Sequence, residues 1–447
     1  MAPQPSVSKI PPAPDGLPFV GHTHELFRRN LFDWMVELTN EHGNIVQLNA
    51  AGKDILLLSD PDAIETILID ENASYRKGGF QKQASESLLG NGLVLAEGDE
   101  WREHRHALSP AFHPRHMSRF AECIREQTAL QISSWSDGDV LDFGDEMQEL
   151  TLAIITDALF DIDVRGENWD LGETFAEILE HFAQIGQTFI YIPEWIPTKS
   201  NRRYNRAVAD LNDVIDEIIE SHSEGHHSES SVVSQLLAHA EQSEEWDRTA
   251  IRDELVTLLV AGHETTALAL TFTTYLLATN PRILAQTQDS IEQTDLNSFG
   301  RDSLNNGFLE KVIQESLRLY PPAYNIYREP KKDVSLAGYH VPEGTIIALS
   351  QWVTHRNSQF YDSPEEFRPG RWTDEFRSSL PVGAYFPFAA GPRRCIGEQF
   401  AKLEMNIVLT MILQQYDLEV VSETPLEVIP SLSTRPANPV RLRVTDR

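Results

Sequence analysis

The chain has 447 residues (50.5 kDa), 41% of them hydrophobic and 23% charged, enough for a large core and too apolar for a disordered chain. Its formal charge of −31, with a pI of about 4.8, argues against extensive phosphate neutralisation and so against nucleic acid as a partner. Two cysteines rule out a disulfide framework and any multi-cysteine zinc or iron–sulfur site built by this chain alone.

Only nine of the 37 basic residues are lysines. Acid excess with scarce lysine is one composition expected of a protein working in concentrated salt, where self-repulsion is screened. Prolines at 3, 5, 11, 12, 14 and 18 make residues 1–20 an extended lead-in that lacks the basic flank and apolar run of a secretory signal. Residues 45–48 and 55–58 alternate around Ala51-Gly52 and predict a strand pair. From Pro61, capped by Ser59-Asp60, to about residue 292 the pattern is mostly helical, with 221–231 (SHSEGHHSESS) as a polar loop. The most apolar run, 258–278, contains Gly262, His263, Glu264 and several threonines, which hydrocarbon would penalise. It reads as a long buried helix, so no transmembrane segment and a cytoplasmic location are expected. Strands return at 334–336 and 345–349. An irregular Pro- and Gly-rich stretch covers 363–397, and a helix over 398–416 leads into terminal strands. Without repeats or a long linker, residues 1–447 are expected to form one domain, mainly α with a minor β region.

Several patterns fail on spacing. Asp161 and Asp163 with Gly166 resemble a calcium loop, but Gly172 stands where the bidentate acid belongs. His263-Glu264 has Ala267 where a zinc-protease helix needs a second histidine. His222, His226 and His227 sit in a polar loop and read as solvated side chains. No nucleophile elbow, phosphate loop or complete dinucleotide fingerprint occurs.

Four separated patterns carry chemistry. The first is residues 388–397, FAAGPRRCIG. A lone cysteine after Arg393 and Arg394, and before a helix N-terminus, is placed to become a thiolate, because cations and the helix dipole lower a thiol pKa. The second is Ala261-Gly262-His263-Glu264-Thr265 within the apolar helix. Ala261 and Thr265 share a face. Gly262 is expected to let a planar cofactor or dioxygen approach the backbone. Glu264 is costly there unless used or well bonded. The third is the pair Glu315 and Arg318 on a helix ending before Pro321-Pro322, a weak signal alone. The fourth is residues 367–372, FRPGRW.

The first pattern matches F-x-x-G-x-R-x-C-x-G throughout and resembles the haem-binding loop of the cytochrome P450 haem-thiolate monooxygenases. The others resemble that family's [A/G]-G-x-[D/E]-T, E-x-x-R and F-x-P-x-R-[F/W] elements, in the same order. The resemblance implies the cytochrome P450 fold, with the long helix crossing a haem b whose axial ligand is the Cys395 thiolate. Arg393 would meet a propionate, joined by Trp101, Arg105 and Arg328, with His355 left open. Phe388 would pack near the sulfur, and Ala261 and Gly262 would line the cofactor. Thr265 and Glu264 would be the catalytic hydroxyl and acid that bring protons to dioxygen. Glu315, Arg318 and Arg371 would form a buried structural triad.

The implied activity inserts one oxygen atom from dioxygen into a C–H bond of a lipophilic substrate, a carotenoid or other isoprenoid, or a fatty acid. Electrons would come from a separate ferredoxin and its NAD(P)H-dependent reductase, docking at Arg102, Arg105, Arg115 and Arg119. Segments 78–95, 182–197, 323–327 and 432–435 are expected to face the ligand, offering Phe182, Phe189, Ile190, Tyr191, Ile192, Trp195, Tyr324 and Ile326. A haem-binding sensor or carrier, and a peroxide-driven peroxygenase, are the alternatives.

Overall fold

A computed structural model describes residues 9–447 except 51, 167–168, 170, 189–190, 226, 229–230, 244–245 and 297–306. Phe189, Ile190 and His226, and the first eight residues of the lead-in, therefore lie outside the described residues.

The apolar run forms part of one 32-residue helix, Arg248–Thr279. Asp247 caps its start by accepting from the Ala250 amide at 2.8 Å. The helix is apolar on most faces because it is surrounded by Phe143–Ile155, Lys199–Ser223, Phe308–Leu319 and Glu398–Gln415. It has the length and hydropathy of a membrane span, and 83% of its most apolar stretch is buried inside the protein. Its threonines survive burial by returning hydroxyls to carbonyls one turn back, as Thr271 does to Ala267, Thr273 to Ala269 and Thr274 to Leu270.

The expected strand pair is present as Ile45–Ala50 and Lys53–Leu58 and is half of something larger. Lys53–Leu58 also pairs in parallel with Ile346–Ser350, placing Ile55 opposite Ile346. Asn325–Pro330 and then Tyr75–Arg76 complete a five-stranded sheet. Neither of these last two strands was read from the sequence. A separate apolar cluster ties the sheet to the helix Leu31–His42, with Phe32 tilted by 33° against Trp352 at 4.3 Å and edge-on at 5.1 Å to Tyr324.

The stretch 363–397 has only short turns, at Pro369–Arg371, Val382–Ala384 and Gly391–Arg393, and the six-residue helix Asp374–Ser379. The polar loop is shorter than expected, because Lys199–Ser223 runs into it and buries His222.

Candidate active site

The cysteine loop is closed by the Cys395 amide, which donates to the Phe388 carbonyl at 2.9 Å. Inside it Ala389 and Gly391 take left-handed conformations, at φ 59° and 69°. Gly391 is obligatory for a second reason: a Cβ there would lie 2.0 Å from the Leu68 carbonyl oxygen. Phe388 is half-buried against the main core, with the Lys402 ammonium 5.5 Å above its ring.

The two arginines before the cysteine go different ways. Arg394 forms a forked pair with Glu398, on the first turn of the following helix. Arg393 reaches Glu97 at 3.2 Å, donates to the Ala96 carbonyl at 2.9 Å, and lies 4.7 Å over the Trp101 ring. Arg105 donates to the Arg394 carbonyl at 2.8 Å. Arg328 is buried beside Arg393, so Trp101, Arg105, Arg328 and Arg393 do converge on one rim. Burial and the nearby Arg393 charge lower the Arg328 pKa to about 10. Lys77 joins them and was missed. Its pKa falls well below the usual lysine value through burial, with Arg328 and Arg393 adding repulsion, and its amide is held by Glu97 at 3.0 Å. A lysine one residue beyond an arginine in a Gly-flanked segment gives no sequence signal of that convergence.

The thiol expectation needs correcting. Arg105, Arg394 and the Gly397 amide do favour the Cys395 thiolate, but desolvation is larger and the thiol pKa is raised. Arg393 turns to Glu97 instead. A coordinating metal removes the proton of such a thiol outright.

On the long helix, Ala261 is exposed and Thr265 half-buried, while residues 258–260 and 266–270 are buried. Cys395 is likewise accessible although desolvation dominates its pKa. An accessible Ala261 between buried stretches of the long helix means open space beside it. Thr265 donates to the Ala261 carbonyl at 2.7 Å, leaving its oxygen lone pairs free toward that space. Gly262 does not face it as expected. A Cβ there would lie 2.3 Å from the Ile155 methyl, so the missing side chain serves packing against Phe143–Ile155.

Glu264 is 2% exposed and accepts from the Ser433 hydroxyl at 2.7 Å, with Arg435 at 3.8 Å. Burial outweighs both, and its pKa is raised. Arg435 also lines an open cavity of about 230 Å³ with Asp142, Asp145 and Gln148, so the carboxyl is one side chain from solvent. Ser433 and Arg435 were missed as partners of the acid, because nothing local links residue 264 to the 432–435 turn.

Glu315, Arg318 and Arg371 meet as expected. Arg318 binds both carboxylate oxygens at 2.9 Å, Arg371 binds one at 2.9 Å, and the Trp372 indole and the Arg368 amide add two more donors at 2.9 Å. His355 is structural: it accepts from the Phe386 amide at 3.1 Å, and its carbonyl accepts from Arg318 at 2.8 Å.

The docking arginines are only partly free. Arg102 pairs with Asp99, Arg119 donates to the Ala158 carbonyl at 2.9 Å, and Arg115 remains exposed. The expected ligand-facing set also fails in part. Tyr324 packs on Phe32, Ile326 belongs to the sheet cluster, and Trp195 and Ile192 are 82% and 44% exposed at the outer surface.

The cytochrome P450 family model matches residues 11–444. The chain belongs to the cytochrome P450 family. It is 31% identical to a cyclooctat-9-en-7-ol 5-monooxygenase of Streptomyces melanosporofaciens, over 94% of each chain. It is 28% identical to a pentalenene oxygenase of Streptomyces avermitilis, over 97% of each. Its fold superposes on the haem domain of cytochrome P450DA with a TM-score of 0.87 and 26% identity, covering 99% of both chains.

The protein is thus an oxidoreductase, a cytochrome P450 monooxygenase that uses haem b with a cysteine thiolate as axial ligand and takes electrons from redox partners. The residues present fit that cofactor. The thiol is accessible, and Arg105, Arg328, Arg393 and Lys77 supply cations at the rim for carboxylates. The other cysteine, Cys123, is buried in the helix Met117–Ile132, where burial and Asp157 push its thiol far up.

Proposed function

We propose that Cys395 is the axial ligand and that this cytochrome P450 hydroxylates an isoprenoid hydrocarbon, with electrons from a ferredoxin and its NAD(P)H-dependent reductase. One oxygen atom of dioxygen enters a C–H bond and the other leaves as water, consuming two electrons and two protons. Bound haem supplies the iron chemistry for that cleavage and insertion, and thiolate donation favours it.

The chain's own residues hold the cofactor and move protons. Arg393, Arg328, Arg105 and Lys77 hold the propionates, with Trp101 stacking beneath Arg393 and Phe388 shielding the sulfur. Glu264, whose pKa burial raises, donates a proton toward Thr265, and the hydroxyl of Thr265 passes it into the open space beside Ala261. Solvent in the Arg435 cavity reprotonates Glu264. The buried acid Glu264, followed in the chain by the accessible Thr265 hydroxyl, is the observation that carries this reading, since a sensor or a peroxide-driven enzyme needs no such pair.

The isoprenoid assignment is supported by the relatives named for cyclooctat-9-en-7-ol and pentalenene. Residues 1–447 act as one unit, and a cytoplasmic location fits a chain whose only span-like helix among the described residues is buried. The test is a carbon monoxide difference spectrum of the reduced protein, followed by spin-shift titration with cyclic terpenes, carotenoids and fatty acids. A Cys395→Ser variant should lose the red-shifted Soret band. Its persistence would end the ligand assignment, and a shift with fatty acids alone would end the isoprenoid one.

A further inference from the structure

The helix Gly98–Leu108 brings Trp101 and Arg105 to the rim of the cysteine loop, yet it has little apolar hold on the rest of the protein. Of its 11 residues only His104 and Leu108 are buried. Trp101 and Arg105 share one face at i and i+4, and His104 and Leu108 share another, about 100° round the helix. On that second face the His104 Nδ1 meets the Glu254 Oε1 at 2.6 Å, and Glu254, on the long helix, is 0% exposed. The Trp246 ring, just before the Asp247 cap of the long helix, lies 5.0 Å from the imidazole and donates its indole N–H to Glu103 at 2.8 Å.

The same turn of the long helix holds the chain that precedes this helix. Asp253 accepts from the Asn91 amide at 2.8 Å. Gly90 and Gly92 pack so closely that a Cβ would stand 2.0 Å from the Asp253 carboxylate and 2.1 Å from the Thr257 hydroxyl. Residues 90–105 thus form a strap with two anchorages. One is the long helix, through Asp253 and Glu254. The other is the cysteine loop, where Arg393 binds Ala96 and Glu97 and Arg105 binds the Arg394 carbonyl.

We propose that His104 and Glu254 are positioning residues for the cofactor: the pair sets the rotation at which the helix presents Trp101 and Arg105 to the rim, and its hold weakens when it gives up its proton. This role rests on the reading of that rim as the propionate site. The charged groups around the pair are Glu100 and Glu103 on its own helix, Asp253 on the long helix, and His239 of the helix Val232–Ala240, 4.0 Å from Glu103. Desolvation disfavours the imidazolium, but the bond and charge of Glu254, with Glu100 and Glu103, outweigh it and raise the His104 pKa. Burial raises that of Glu254 as well, against the His104 bond and the Leu93 amide. Folding therefore takes up protons here. The His104 share of the hold is complete below its ordinary pKa of about 6.5 and is lost as pH rises through the folded value.

The test is the rate of haem transfer from the holoprotein to excess apomyoglobin, followed at the Soret band from acid to alkaline pH. His104→Ala should release haem at least about tenfold faster at neutral pH, the scale on which outer partners support a bound metal. In the parent, release should accelerate on the alkaline side. Glu254→Gln withdraws the charge that raises the His104 pKa, so that acceleration should begin at lower pH. His104→Leu/Glu254→Leu replaces the pair by apolar side chains, and should fold, release haem faster than the parent at neutral pH and lose the pH step. Should His104→Ala fail to fold, these last two variants decide. Unchanged release in His104→Ala, or an alkaline limb that stays in place in Glu254→Gln and persists in the double variant, would overturn the proposal and leave the oxygenase reading intact. A parent protein that takes up no haem would overturn both.

Discussion

Glu315 and Glu264 are buried to nearly the same degree, at 0% and 2% exposure, and the protein treats them in opposite ways. Glu315 receives bonds from two guanidiniums, an indole and a backbone amide. Glu264 has one hydroxyl and a guanidinium at 3.8 Å, too little to offset desolvation. A carboxylate with every lone pair engaged is held in place and holds a frame. A carboxyl whose compensation is partial keeps its proton within reach of a small perturbation.

That contrast can be broken by substitution. Arg371→Ala should do most damage, because it leaves part of a buried charge uncompensated. A loss of about 3–5 kcal/mol is expected, with failure to retain haem, read by thermal unfolding and the Soret band. A variant as stable as the parent would remove the framework role. Next is Thr265→Ala, which should bind haem normally yet form about tenfold or less product per NAD(P)H, the electrons appearing as hydrogen peroxide. Coupling equal to the parent's would exclude Thr265 from proton delivery.

Ser433→Ala sharpens the comparison from the other side. The serine favours the charged form of Glu264, so its loss should raise that pKa further. The alkaline limb of the coupled rate should move to higher pH. A stationary limb would detach Ser433 from the acid. Stability should follow the same linkage. Folding takes up a proton at Glu264, so this contribution is complete below the ordinary carboxylate pKa and is lost as pH rises through the folded value. Glu264→Gln should remove that slope. The smallest effect is expected for Arg115→Glu, a few-fold fall in reduction rate at low salt that disappears as salt rises.

What could be read from the sequence divides along the same line. The cysteine loop and the long helix were legible because each is local, whereas the triad joins positions 56 apart and was legible only through the family resemblance. The loop's glycines, prolines and arginines sit at fixed offsets, and the structure closes the Phe388–Cys395 turn and seats Arg371 and Trp372 on Glu315. The partners of Glu264 were not legible, since Ser433 and Arg435 reach it across 169 and 171 positions of chain. Direction was also lost. The aromatic character of 182–197 was visible, but only the fold shows that Trp195 looks outward and Tyr324 into the core on Phe32. Gly262 illustrates the same limit. The glycine was expected to admit a cofactor and instead admits Ile155.

The parallel pairing of Lys53–Leu58 with Ile346–Ser350 bears on how the molecule is made. On a ribosome the first strand pair emerges early and must wait, its edge unsatisfied, for a strand encoded three-quarters of the way along the message. Lys77, Trp101 and Arg105 wait longer still, for Arg393 and Cys395. The rim of cations and the thiol are therefore complete only once residues 393–395 have been made, and the strand edge open until then is exposed to mispairing.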